Sequence, residues 1–109
     1  MDHPFQDGVS LELARRIAAG LPHHREWLHL ANANLERWKQ QNSNAPSLIR
    51  CYNEWRELLK RPLAEICAAM TAETEEGQRI RQNSPFAGVL APFEVWEIKA
   101  RFRHAPPPA

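Results

Sequence analysis

The sequence predicts an all-α protein, a compact bundle of five to six helices built around one antiparallel helix pair. Three observations carry this. Apolar residues recur at helical spacing in two long neighbouring segments, Pro, Gly and Asn punctuate the periodic segments, and only the last segment can also be drawn as an alternating strand. At 109 residues the chain suits one domain with one core. A hydrophobic fraction of 43% and a charged fraction of 25% are those of an ordinary folded domain, so disorder is not indicated.

Residues 1–9 read as a flexible N-terminal arm, with Phe5 as its one anchor and Asp7-Gly8 as a turn. Ser10 then reads as an N-cap, Glu12 suits the positive helix end, and Leu13, Ala14, Ile17 and Ala18 share a face. Gly20 and Pro22 close this first helix. Pro22 suits the first turn of a second helix running to about Gln41, where Trp27, Leu28, Ala31, Leu35 and Trp38 form a single stripe. A connection at Asn42-Ser43-Asn44-Ala45-Pro46 follows, with Asn42 suited to a left-handed cap and Asn44 to capping the next helix. The third helix, from about Ala45 to Lys60, centres on Leu48, Tyr52, Trp55 and Leu59. Because the connection is short, helices two and three should pack antiparallel.

Arg61-Pro62 starts a fourth helix whose face is Leu63, Ile66, Cys67 and Met70. Continued further, that face would carry Thr74, Gly77 and Arg81, so a break is expected between Thr71 and Thr74. Thr74 should cap a fifth helix, with Glu75 and Glu76 in its first turn and Arg79 and Arg81 in its last. The stretch Asn83 to Phe93 contains Pro85, Gly88 and Pro92, which deny it a continuous helix, yet it is as apolar as a core strand. Such a connector must be buried either by the chain's own helices or by a partner. Pro92 and Glu94 can begin the last segment, drawn over 93–103 as a helix with two apolar sides, Phe93, Trp96 and Ala100 on one and Val95, Ile98 and Phe102 on the other. The alternative is a β-strand used in association. The helical domain thus spans residues 10–104, and Ala105 to Ala109 form a disordered Pro-rich tail.

Composition restricts the function. Fourteen basic residues against 13 acidic give a net charge of +1, without the strong positive field of most nucleic-acid binders. No apolar run reaches about 18 residues, and no basic-then-apolar leader opens the chain, so a soluble cytoplasmic protein is expected. Cys51 and Cys67 sit on apolar helix faces without zinc-type spacing and read as reduced, buried thiols. His23, Glu26 and His29 lie on adjacent turns, but the further inward carboxylates of a di-iron bundle are missing. His24 reads as a hydrogen-bonded boundary residue, and the glycines, at 8, 20, 77 and 88, form no phosphate loop. No catalytic residue, metal or cofactor is expected.

The favoured function is a small non-enzymatic protein-interaction module, an accessory, adaptor or antitoxin-like regulator. It would dock another protein, or a second copy of itself, through Phe86, Val89, Leu90, Val95, Ile98 and Phe102. The alternative is a DNA-binding regulator with a helix-turn-helix in residues 62–83, reading DNA through Gln78, Arg79, Arg81, Gln82 and Asn83. Against it, residues 62–78 carry four Glu and no Lys or Arg. Lys99, Arg101 and Arg103 beside Trp96 and Phe102 could touch RNA or an acidic protein, although a basic run is more often a solvated helix end.

Overall fold

The computed structural model describes residues 4–103 and contains six α-helices among them. They are α1 (Pro4–Gly20), α2 (Glu26–Gln41), α3 (Pro46–Leu58), α4 (Leu63–Met70), α5 (Glu75–Arg81) and α6 (Pro92–Arg103), with a 3₁₀ turn at Leu21–His23. The expectations for residues 1–3, the Phe5 side chain and the 105–109 tail lie outside what is described. The all-α fold and the helical form of the last segment are as the sequence predicts.

The pair α2/α3 is antiparallel. Asn42 reaches the Tyr52 hydroxyl at 3.3 Å while Glu36 accepts from Arg56 at 3.2 Å, so positions rise along one helix as they fall along the other. Trp38 and Tyr52 tilt together across this seam, their ring centres 5.8 Å apart. A second antiparallel pair joins the ends of the chain. Arg16 of α1 faces Glu94 and Glu97 near the start of α6, whereas Gly8 lies under Phe102 near its end. The short helices α4 and α5 pack on α1 and on each other.

Several local expectations change. Helix α1 begins at Pro4, not after Ser10, and Asp7-Gly8 lies inside it. The reason is packing: a Cβ at position 8 would run into the Phe102 ring, so the glycine permits close approach of α6 and makes no turn. Pro22 sits in the 3₁₀ turn, and α2 starts only at Glu26. Asn42 has φ −116° and is not left-handed; its Nδ2 instead donates to the Trp38 carbonyl at 3.0 Å. Asn44 does not cap α3, whose N-cap is Ala45 with Pro46 in the first turn. The Thr71–Thr74 break and the Thr74 cap are present, with Thr74 Oγ1 accepting from the Gly77 N–H at 3.0 Å. A Cβ at Gly77 would overlap the Ala72 carbonyl, so this tight entry to α5 requires glycine.

The connector between α5 and α6 is buried by the chain's own helices. Pro85 and Phe86 are fully covered, and Phe86 meets Trp55 edge to face with ring centres 6.0 Å apart. Asn34 of α2 donates to the carbonyls of Pro85, at 2.9 Å, and Ala87, at 3.3 Å, pairing backbone groups that no helix serves. Gly88 turns the chain with φ +88°, a left-handed value that favours glycine. Glu94 then accepts from the Ala91 N–H at 3.0 Å and closes the first turn of α6. Phe86→Ala should therefore destabilise the fold by about 3–5 kcal/mol, while Phe93→Ala, only seven positions on but exposed, should change it by less than about 0.5 kcal/mol. Urea unfolding followed by tryptophan fluorescence measures both, and equal effects would contradict this account of the connector.

Candidate functional site

The residues expected to dock a partner do not form a surface. Phe86, at 1% exposure, and Leu90, at 8%, belong to the core, and Ile98 is completely covered. Val89 and Val95 are half-buried against that core, and Phe102 is half-buried over Gly8. The physical reason is that α6 lays its Val95, Ile98 and Phe102 side inward, where α1 receives it. Its other apolar side is left over. Phe93 and Trp96, 67% and 59% exposed, stack on each other with ring centres 6.2 Å apart and planes inclined by 27°. Both sides are legible in the sequence of α6, but nothing in a two-sided helix pattern says which side the core takes.

The residues expected to read DNA are also redistributed. Arg79 is exposed but held between Glu54, at 3.0 Å, and Glu76, and these carboxylates keep its guanidinium charged well above the usual arginine range. Arg81 is 6% exposed and works inside the fold. Its Nη1 donates to the carbonyls of Met70, at 3.1 Å, and Ala72, at 2.7 Å, where α4 ends, and its Nη2 lies 3.3 Å from Asp7 of α1. That leaves exposed Gln82 and half-buried Gln78 and Asn83 without two free cations beside them. The α4–turn–α5 arrangement is present, but α5 has only seven residues.

The remaining chemistry is modest. His24 is exposed and stacks on Trp27 at 4.7 Å, with Nδ1 3.2 Å from Glu26. Glu26 is held below the ordinary carboxylate range, first by a backbone hydrogen bond and then by His24. Burial pushes the Cys67 thiol up, and its Sγ–H points at the Ala18 carbonyl 3.7 Å away. No group of three or more His, Cys, Asp or Glu is gathered as a metal site among the described residues. Nor is any described helix long and apolar enough to cross a membrane.

Beside the aromatic ridge lies a cleft of about 630 Å³ between α1, the connector and α6. Its floor is Trp55, Met70, Phe86 and Leu90, and its side walls include Leu13 and Ile17 of α1 and Val95 of α6. The polar groups on its wall are Ser10, Gln82, Ser84, Arg81, Lys99 and Arg103. Comparison with known protein families, curated proteins and solved structures finds no match to this chain.

The buried position of Arg81 gives a test of the inner wall. Arg81→Leu removes the donor to two carbonyls at the end of α4 and leaves Asp7 without its cation, so it should cost about 2–4 kcal/mol. Arg79→Ala removes only exposed pairs and should cost less than about 1 kcal/mol. Chemical denaturation of the two variants separates the roles of arginines two positions apart; similar losses would mean that Arg81 is not the internal donor described.

Proposed function

We propose that this chain is a non-enzymatic protein-interaction module, an adaptor or regulator that docks its partner on the outer face of α6 through Phe93 and Trp96. The observation that carries the reading is the exposed, stacked aromatic pair. Large aromatics dominate interface energetics because each has on the order of 150–250 Å² to remove from water, and trimming them at a fold's surface commonly costs binding and not stability. Leu30 on α2, 50% exposed, is the other exposed large hydrophobic residue among those described.

The charges around the ridge favour an acidic apolar partner. Glu94 and Glu97 turn toward Arg16 at 3.7 and 3.8 Å, whereas Lys99, Arg101 and Arg103 are exposed along the same helix. Long exposed pairs of this kind add little stability, less than about 1 kcal/mol, but they draw the negative charge of α6 toward α1. A segment with acidic residues beside one or two apolar anchors would therefore meet favourable contacts on both counts.

The Phe93→Asp, Trp96→Asp double variant should keep the helical content and unfolding midpoint of the parent and lose capture of the partner from lysate of the source cells. Leu30→Asp should keep both. Recovery of the same protein by the double variant, or recovery that disappears after nuclease treatment, would refute docking at this ridge. Sedimentation velocity of the parent chain identifies a second copy as the occupant if it dimerises and the double variant does not.

A further inference from the structure

We propose that the cleft between α1, the connector and α6 binds a single-chain anionic amphiphile, a hydrocarbon chain ending in a carboxylate or phosphate. Its volume, about 630 Å³, lies within the roughly 300–1,000 Å³ of ligand sites. The floor is apolar and almost closed to solvent, with Phe86 and Met70 each 1% exposed. Its mouth is open, since Gln82, Ala87 and Gly88 on the connector and Lys99 and Arg103 on α6 are exposed. An elongated apolar ligand can therefore lie along the floor with its polar end at the mouth.

The charge distribution decides the sign of that end. The chain as a whole is nearly balanced, at +1, yet the described wall of the cleft carries three cations, Arg81, Lys99 and Arg103, and no carboxylate. Lys99 and Arg103 lie one helical turn apart on α6 and take part in no ion pair among the described residues. The third cation is an independent pointer. Arg81 is 6% exposed, its Nη atoms are used by Met70, Ala72 and Asp7, and its Nε is buried without an acceptor. A buried donor left unpaired is rare in a folded protein, and here it belongs to a cationic side chain that borders an apolar cleft. An anion held by Lys99 and Arg103 at the mouth would also lie in the field of the Arg81 guanidinium. Asp7, the carboxylate paired with Arg81, lies outside this wall, in a neighbouring cleft that Arg81 also borders together with Glu73 and Glu75.

Decanoate, decyl phosphate and decanol, each titrated into the full chain below its aggregation concentration, test the assignment by calorimetry and by amide NMR shifts. One or both anions should bind saturably and shift amides in 82–90 and 95–103, and whichever binds more tightly identifies the headgroup. Decanol should bind at least about tenfold more weakly, and the Lys99→Gln, Arg103→Gln double variant should weaken the anions by a similar factor while folding normally. Absence of saturable binding by either anion overturns the proposal. So does decanol binding as tightly as the anions, an unchanged affinity in the double variant, or shifts confined to Phe93, Trp96 and their neighbours. Because amides 82–90 report on the cleft and those of Phe93 and Trp96 on the ridge, failure here is distinguishable from failure of the docking ridge.

Discussion

Backbone carbonyls that no helix can use are the constraint on which this fold depends. The chain breaks its helices often, at Gly20, Asn42, Leu59, Thr71, Gln82 and again before Pro92, and each break leaves acceptors that must be paired if they are buried. Side chains distant in sequence supply the donors. Trp55 Nε1 donates to the Ile80 carbonyl at 3.0 Å, Arg81 serves Met70 and Ala72, and Asn34 serves Pro85 and Ala87. Closer to home, Thr71 Oγ1 donates to the Cys67 carbonyl at 2.7 Å. The Trp55 and Asn34 bonds tie a short or irregular segment to a longer helix, and Arg81 ties α5 to the end of α4. Helices of eight and seven residues, α4 and α5, would not persist alone and are held by these ties and by the apolar contacts beneath them.

The two surface features follow from the same arrangement. With the connector drawn into the space between the α2/α3 pair and the α1/α6 pair, α6 has one side in the core and one side facing out. The inward side supplies Ile98 and one wall of the cleft. The outward side keeps Phe93 and Trp96, which no described element covers. Folding alone would favour polar residues there, because exposed aromatics of this size gain nothing from the core and invite association. Their presence motivates the docking reading, as the cationic wall with its unpaired Arg81 Nε motivates the ligand reading.

Residues alike in sequence meet opposite fates in the structure. Phe86 and Phe93 stand in one apolar stretch of sequence, Asn83 to Phe93, yet the first lies in the irregular connector, closed against Trp55, and the second lies in the first turn of α6 and is open. An irregular segment has no period, so its sequence carries no record of which side faces inward. Arg79 and Arg81 both complement the negative end of α5. Only the position of α4 and Asp7 makes Arg81 an internal donor, and those residues are 9 to 74 positions away. Gly8 was misread for a related reason, since Asp-Gly commonly marks a turn. Here its value lies in the missing Cβ that lets Phe102 approach.

What the sequence determined by itself was the local part: the helical stripes of α2 and α3, the break at Thr71–Thr74, the cap at Thr74, and the start of α6 at Pro92 with Glu94. These signals act within about one helical turn, where spacing, caps and dihedral preferences are decided by adjacent residues. Only the tertiary structure decided which apolar faces were spent on the core and which remained free. That choice depends on contacts between residues far apart in the chain, Trp55 with Phe86, Gly8 with Phe102 and Arg81 with Asp7. Burial is a property of the assembled shape, and no single segment of sequence contains it.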